Sequence, residues 1–320
     1  MASRDHRLAR GERQVPARAA RGARRSARMK LALIGVGMIG GSVAAALRRA
    51  GAIERAVGFD ADPKAARRGV ELGVLDAAAA SVEEAVREAD LVVLAVPVGA
   101  MAEVMAPMAS ALPPNAIVTD VGSTKLSVIE AARTALAKAS GSPIRRFVPG
   151  HPIAGRELPG VEHADAALFR GRLYICTPIE ETGPEARATV EDLWRRIGAN
   201  VVTMDAAEHD RVFAAVSHLP HLLAFALVAR IASEPDGERK LGFAGAGFRD
   251  FTRIAASSPA MWRDVCLANR AALGEELRGY RALLDELQRA IDAGDAAALE
   301  ATFELASRTR RRHARTFDAE

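Results

Sequence analysis

A glycine-rich segment near the start of the chain constrains the fold more than any other feature. Residues 30–36, KLALIGV, form an apolar run that ends in glycines, as a buried parallel strand does. Gly35, Gly37 and Gly40 follow the pattern GxGxxG, and a helical pattern closed by Gly51 comes next. This succession of strand, glycine turn and helix predicts the first unit of an α/β domain with a parallel sheet.

The same glycines predict a site for a dinucleotide. Gly35 permits a tight turn, Gly37 lets the backbone approach a pyrophosphate, and Gly40 lets helix and strand pack closely. The helix N-terminus then offers free N–H groups and the positive end of its dipole to the phosphates. Asp60 ends the next predicted strand, 20 residues beyond Gly40, where a carboxylate can bind the ribose hydroxyls.

Asp60 favours NAD over NADP as the cofactor, because a carboxylate repels a 2′-phosphate. Asp62 lies close enough in sequence to share this role, and Arg67 with Arg68 leaves NADP open as an alternative. The residues expected to contact the cofactor are Gly35, Gly37, Met38, Ile39, Gly40, Asp60, Val96 and Pro97.

Strand and helix patterns alternate through the first two thirds of the chain, and only helical patterns follow. The prediction is an α/β protein with a disordered basic tail at residues 1–28, a Rossmann-type dinucleotide-binding domain at 29–204 and an all-helical domain at 205–320. Strands are predicted at residues 30–36, 56–60, 91–97, 116–122, 172–178 and 199–205, with one more short strand, RRFVPGHP, ending near His151.

The basic charge of the chain comes from its tail. The formal net charge is +4, but residues 1–28 hold nine Arg against Asp5 and Glu12, which leaves 4 − 7 = −3 for residues 29–320. Nucleic-acid binding is therefore not expected of the folded part, although the tail could serve as a targeting or RNA-binding arm. Cys176 and Cys266 show no disulfide or zinc spacing, which favours a reducing, cytoplasmic setting.

One apolar segment has nearly the length of a membrane span. Residues 212–229 contain no Asp, Glu, Lys or Arg. They also contain His218, Pro220 and His221, which are poor choices for lipid. We therefore expect no membrane contact and a helix that protein buries on all sides.

Two polar residues are predicted near the nicotinamide, at the edge where the parallel strands end. Ser123 follows the strand at 116–122 as a hydrogen-bonding group, or else as the N-cap of the next helix. His151 also follows a strand, and a neutral imidazole can accept the proton of a hydroxyl that is oxidised by hydride transfer. Both are therefore candidate catalytic residues.

The helical part offers groups for an acidic substrate. His218 and His221 are three residues apart and lie on one helix face. They could be metal ligands, but no third ligand stands at helical spacing, so no metal is expected. The segment GFRDFTRIAASSPAMW provides Asp250, Arg253 and Trp262, and an arginine beside an acid suits carboxylate recognition as well as a surface ion pair.

Six segments together resemble the prephenate/arogenate (cyclohexadienyl) dehydrogenase family of tyrosine biosynthesis: IGVGMIGGS, GFD, DVGSTK, HPIAGRE, SHLPH and GFRDFTRIAASSPAMW. The resemblance covers roughly residues 29–310. It implies that NAD accepts a hydride from the ring carbon of a cyclohexadienyl acid, which loses CO2 as its ring becomes aromatic. It also implies a homodimer joined through the helical domain.

The resemblance assigns roles to single residues. His151 would accept the proton of the ring hydroxyl, and Ser123 would bond both that hydroxyl and the histidine. The residues implied in substrate binding are Arg253, His221, His218, Trp262, Arg156, Glu157 and Asp250. Arg156 stands where many members have a small hydroxyl residue, and an extra cation there would favour prephenate over arogenate.

Two other functions are consistent with parts of the pattern. A β-hydroxyacid dehydrogenase would carry a catalytic lysine on the first long helix of its second domain, but that helix carries His218 and His221, and Lys240 lies beyond it. A non-catalytic NAD-binding sensor would use the basic tail to bind nucleic acid and would need no proton acceptor, against which His151 and Arg253 argue.

Overall fold

A computed structural model of the protein describes residues 28–137, 143–155 and 158–314. The predicted tail, apart from Arg28, lies outside these residues, and so do Arg156 and Glu157. The first domain contains nine described strands and six described helices, in chain order β1 Met29–Ile34, α1 Met38–Arg49, β2 Ile53–Phe59, α2 Pro63–Glu71, β3 Ala77–Ala78, α3 Val82–Val86, β4 Leu91–Leu94, α4 Met101–Ala111, β5 Ile117–Asp120, α5 Leu126–Leu136, β6 Phe147–Val148, β7 Gly150–Pro152, β8 Leu173–Cys176, α6 Pro184–Arg196 and β9 Asn200–Thr203.

Six of these strands form one parallel sheet in the order β3-β2-β1-β4-β5-β6. Its strands are apolar without alternation, because helices cover both faces. Leu31 and Leu33 face a core with α1 and α6, whereas Ala32 and Ile34 face a second core with α3, α4 and α5. The chain order reverses between β1 and β4, which opens a crevice at the carboxyl ends of the strands. The predicted doubly wound fold is confirmed.

The predicted strand RRFVPGHP is in fact two strands in two sheets. β6 closes the parallel sheet, whereas β7 pairs antiparallel with β8 in a three-stranded sheet of order β7-β8-β9. Pro149 lies between them, and its missing N–H interrupts the ladder. This break turns β7 away from the parallel sheet, and it places His151 opposite Ile175 on the rim of the crevice.

From Ala206 onward the described elements are all helical. They are α7 Ala206–Phe213, a π-helical turn Ala214–His218, α8 Leu219–Ala232, α9 Gly237–Leu241, α10 Ala246–Thr252, a 3-10 helical turn Arg253–Ala256, α11 Pro259–Ala268, α12 Arg270–Ala293 and α13 Ala296–Arg312. The helical part lies close to the turn that follows β4: a Cβ added at Gly99 would lie 2.8 Å from Oδ2 of Asp264 on α11.

The helix from Ala206 to Ala232 is the one described helix that is long and apolar enough to cross a membrane. The expectation that protein buries it on all sides is wrong for a single chain, since only 28% of its apolar window is buried. Its buried face packs toward β7 and α12, while Val216 on the opposite side is exposed. The helix is therefore two-faced, with one side built into the crevice and the other open.

Candidate active site

The glycine loop is shaped by backbone contacts that exclude side chains. Gly35 has φ +97°, and a Cβ there would lie 2.5 Å from the carbonyl oxygen of Ala95. A Cβ at Gly40 would lie 2.3 Å from the carbonyl oxygen of Gly35. Gly37 differs, because a Cβ there would meet nothing within 4 Å. Gly35 and Gly40 are therefore required by packing, whereas Gly37 borders open space.

Residues around this open space fit a dinucleotide. Gly37 is the N-cap of α1, and no side chain caps the helix, so its first N–H groups are free to bind phosphate. Asp60 accepts hydrogen bonds from the backbone N–H groups of Val36 (2.8 Å) and Asp62 (2.9 Å), which fix its carboxylate beside the loop. Asp62 itself caps α2 by accepting from the N–H of Lys64, so its carboxylate is already used.

The other expected cofactor residues follow β1 and β4, the two strands between which the chain order reverses. Met38 and Ile39 open α1, the first buried and the second half-buried. Val96 and Pro97 follow β4, whose neighbour across the reversal of strand order is β1. The loop, the free helix end and the fixed carboxylate together provide the contacts that NAD needs.

A chain of hydrogen bonds leads from His151 into the helical part. Nδ1 of His151 lies 2.9 Å from Nε2 of His209, and Nδ1 of His209 lies 2.8 Å from Oδ1 of Asp210. Phe213 packs edge-on against the His151 ring, with centroids 5.1 Å apart. Burial lowers the pKa of His151 well below its usual value of 6.5, and the neighbouring His209 and Lys125 lower it further. His151 is therefore neutral at pH 7 and can act as a base.

Asp210 joins the two domains. Its carboxylate accepts from the backbone N–H groups of Lys125 (2.7 Å) and Leu126 (3.0 Å) at the start of α5. These bonds, with the one from His209, hold the pKa of Asp210 below its ordinary value despite burial. The alternative prediction that Ser123 caps α5 is wrong, because the capping group is a carboxylate from α7.

A buried ion pair supports the strand that carries His151. Lys125 and Asp120 are both fully buried and paired, and Nζ of Lys125 also donates to the carbonyl oxygen of Gly150 (2.7 Å). Asp120 accepts in turn from the N–H of Gly150 (3.1 Å) and of Gly122 (2.8 Å). Both polar groups of Gly150, the residue before His151, are thus fixed by this pair.

His218 and Trp262 each present a buried donor with no partner. Nδ2 of Asn269 donates to the carbonyl oxygen of Asp210 (2.7 Å) and to Nδ1 of His218 (3.1 Å). Burial lowers the pKa of His218 to about 4, so the ring is neutral and its proton must sit on Nε2. Within the described residues, this Nε2 and Nε1 of Trp262 are buried without a hydrogen bond. Both N–H groups can therefore donate to a bound ligand.

His221 lies beside this pair of donors. Its ring stacks on Trp262 with centroids 3.6 Å apart, and its Nδ1 bonds the carbonyl oxygen of Ser217 (2.9 Å). The proton on Nδ1 leaves Nε2 as an acceptor. The π-helical turn before His221 changes the helix phase, which lets His209 and His218 both face the strands.

The structure brings only some of the predicted residues together. His151, His218, His221 and Trp262 form one group, and the half-buried Ser123 lies at its edge near the His218 ring. Arg253 and Asp250 are exposed on the adjoining turn and on α10.

Three residues central to the site were missed by sequence reasoning: His209, Asp210 and Asn269. A signal was available for two of them, since an adjacent His and Asp precede an apolar stretch that carries no charge. Asn269 gives no such signal, because it lies at the start of α12 among ordinary helical residues.

Two family models match adjoining parts of the chain. The nucleotide-binding domain of prephenate dehydrogenase matches residues 43–203, and the dimerization domain of prephenate dehydrogenase matches residues 205–305. The chain belongs to the prephenate dehydrogenase family. The enzyme also resembles curated relatives: a cyclohexadienyl dehydrogenase of Zymomonas mobilis (38% identity over 83% of this chain and 89% of the relative) and a prephenate dehydrogenase of Bacillus subtilis (36% identity over 86% and 73%).

Solved structures give the same result. A prephenate dehydrogenase of Aquifex aeolicus, in complex with hydroxyphenyl propionate and NAD+, superposes with a TM-score of 0.80 at 34% identity, covering 89% of this chain and 98% of that one. An arogenate dehydrogenase of Synechocystis superposes with a TM-score of 0.72 at 30% identity, covering 89% and 100%. The enzyme is an NAD-dependent dehydrogenase, and the predicted family, enzyme class and cofactor are confirmed.

Proposed function

We propose that this enzyme converts prephenate and NAD+ into 4-hydroxyphenylpyruvate, CO2 and NADH in tyrosine biosynthesis, and that arogenate is a second substrate, which yields tyrosine. One observation carries the proposal: a neutral, half-buried histidine, His151, lies near His218, and the buried N–H groups of His218 and Trp262 can bind an acidic ligand. The proposed setting is the cytoplasm, where this biosynthetic chemistry belongs.

His151 accepts the proton of the ring hydroxyl. NAD+, when bound at the glycine loop, supplies the acceptor for the hydride. As the O–H bond breaks, its electron pair forms the ring carbonyl, and the hydride leaves the same carbon. The ketone is conjugated through the diene, so it accepts the electron pair of the carboxylate bond as CO2 departs and the ring becomes aromatic. His151 then returns the proton to the phenolate oxygen, which balances the reaction without net release of a proton.

The carboxylates are bound by donors on the helical part. Nε2–H of His218 and Nε1–H of Trp262 are buried and unpartnered, so a carboxylate oxygen between them removes two unsatisfied groups at once. Arg253, which is exposed at the open side, supplies the cation that binds the substrate. His221 keeps Trp262 in place by stacking. Ser123 bonds the ring hydroxyl at the edge of the group.

The test is NADH formation from NAD+ with prephenate and, separately, with arogenate. We expect prephenate to be turned over with one CO2 released per NADH. Turnover of neither compound by protein that still binds NAD+ would refute the proposal. Turnover of arogenate alone would reverse the order of substrates.

We assign the proposed preference for prephenate to Arg156, and this assignment rests on the sequence alone. Its guanidinium would attract the pyruvyl side chain and repel the ammonium of arogenate. Arg156→Thr should lower the ratio of kcat/KM for prephenate to that for arogenate. An unchanged ratio would show that Arg156 does not set the substrate preference.

We also propose a homodimer formed through the helical domain. Its outer faces expose large apolar side chains, among them Val216, Leu267, Ile291, Phe303 and Leu305. Exposed patches of this kind mark protein interfaces. Light scattering should give twice the chain mass of 33.9 kDa, and a monomer mass at micromolar concentration would contradict the dimer.

A further inference from the structure

The contacts of His151 define where its proton sits. Asp210 holds its charge because three N–H groups point at its two oxygens: Nδ1–H of His209 and the backbone N–H groups of Lys125 and Leu126. Since the carboxylate can only accept, Nδ1 of His209 must carry a proton. Neutral His209 then has an unprotonated Nε2, and this atom is the one that faces His151.

The same logic continues to His151. Nε2 of His209 can only accept, so Nδ1 of His151 must be the donor across the 2.9 Å contact. The neutral His151 ring therefore carries its proton on Nδ1 and has its lone pair on Nε2. The described hydrogen bonds of His151 use Nδ1 alone, which leaves Nε2 free for a substrate hydroxyl. A free imidazole in water prefers the opposite tautomer, with the proton on Nε2.

We propose that Asp210 and His209 form a proton relay that fixes the reactive tautomer of His151 and stores the substrate proton during aromatisation. This rests on the proposed function, in which His151 removes a proton that the phenolate later takes back. When Nε2 of His151 gains the hydroxyl proton, Nδ1 of His151 passes its own proton to Nε2 of His209. The positive charge then lies on His209, in contact with the Asp210 carboxylate, and the return of the proton reverses both transfers.

The surrounding charged groups favour a positive charge on His209 over a positive charge that stays on His151. Lys125 is a buried cation near both rings, and it disfavours a second positive charge on either. Of the two rings, only that of His209 contacts a carboxylate that can offset the effect of Lys125. Oδ1 of Asp210 lies 2.8 Å from Nδ1 of His209. The other charged or titratable neighbours, Asp120 and His218, belong to the buried pair and to the neutral donor described above. His209 and Asp210 are thus positioning residues that act through His151.

Nitrogen NMR of the full-length enzyme tests the tautomer without any substrate. With 15N-labelled histidine, and with His151→Asn used to assign the His151 signals, we expect both His151 and His209 protonated on Nδ1 at pH 7. A His151 ring protonated on Nε2 would overturn the relay. Because no substrate is present, this result stands apart from any failure of the proposed reaction.

Kinetics of a matched pair of variants test the function of the relay. Gln at position 209 can place an acceptor oxygen where Nε2 of His209 lies, whereas Leu cannot. His209→Leu should lower kcat by about 100-fold or more and move the His151 proton to Nε2. His209→Gln should keep that proton on Nδ1 but still lower kcat by about tenfold, because an amide oxygen fixes the tautomer and cannot take up the proton.

Three results would contradict the relay in these variants. Either variant could keep wild-type kcat, both variants could lose equal activity while binding NAD+ normally, or the His151 tautomer could be unchanged in folded His209→Leu. If His209→Leu does not fold, the NMR experiment on the wild type and the kcat of His209→Gln test the relay instead. Absence of turnover in the wild type would refute the proposed reaction and leave the tautomer measurement intact.

Discussion

The glycine loop and the histidine group are built in different ways. The loop is made by neighbours in sequence, and its shape depends on the absence of side chains at Gly35 and Gly40. The histidine group joins residues far apart: His151 and His209 are separated by 58 positions, and Lys125 and Asp210 by 85. Cofactor binding is thus encoded locally, whereas proton transfer depends on how the two domains pack.

Breaking the buried ion pair should have the largest effect, and it should act on the histidine side. Lys125→Met leaves Asp120 charged and buried without its partner, so we expect a loss of about 3–5 kcal/mol in the free energy of unfolding. Lys30→Met is the matched control, since its pair with Glu88 is exposed and should contribute about 0–1 kcal/mol. Chemical denaturation measures both, and equal losses would show that Lys125 has no special structural role.

Substitutions at Gly37 and Gly40 should distinguish a role in NAD+ binding from a role in packing. A Cβ at Gly40 collides with the backbone, so Gly40→Ala should destabilise the fold by about 1–3 kcal/mol. Gly37→Ala meets open space at an ordinary φ of −94° and should change stability by less than about 0.5 kcal/mol. It should nevertheless weaken NAD+ binding by about tenfold, because the new methyl group occupies the space for the pyrophosphate.

Calorimetry of Gly37→Ala with NAD+, beside its thermal unfolding, tests this separation. Unchanged NAD+ affinity would mean that the pyrophosphate lies elsewhere. A melting temperature as low as that of Gly40→Ala would mean that the space beside Gly37 is not open.

Asp60 should control the choice of cofactor. Asp60→Asn removes the charge that repels a 2′-phosphate, so the ratio of kcat/KM for NADP to that for NAD should rise by about tenfold. Asp62→Asn is the control, because asparagine also caps a helix and Asp62 is engaged with the N–H of Lys64. A rise in Asp62→Asn equal to that in Asp60→Asn would assign the role to both acids.

The smallest predicted effect is a shift along the pH axis. Burial opposes protonation of His151, so the base stays neutral as the pH falls through 6.5, the usual histidine pKa. Activity should therefore decline only at lower pH, where the proton finally binds. A plot of kcat/KM for the free enzyme against pH should show its acid limb below 6.5, and a limb at or above 6.5 would contradict a buried neutral base.

The sequence was sufficient for the parallel sheet and the glycine loop, because apolar runs, glycine spacing and Asp60 are local signals. It was insufficient where distant segments meet. The capping of α5 by Asp210, the relay through His209 and the donor Asn269 all depend on the packing of helices against the sheet. The division of RRFVPGHP into two strands was predictable in principle, because Pro149 cannot complete a ladder.

The most direct test is to remove the proposed base, His151, and to measure NAD+ binding and turnover of prephenate in the same variant. His151→Asn can still donate a hydrogen bond to His209, but it has no basic nitrogen. We predict that it binds NAD+ with a Kd within about twofold of the wild type, since the glycine loop is untouched. Its kcat with prephenate should fall by at least about 100-fold. A kcat within tenfold of the wild type, or a joint loss of NAD+ binding, would contradict the account.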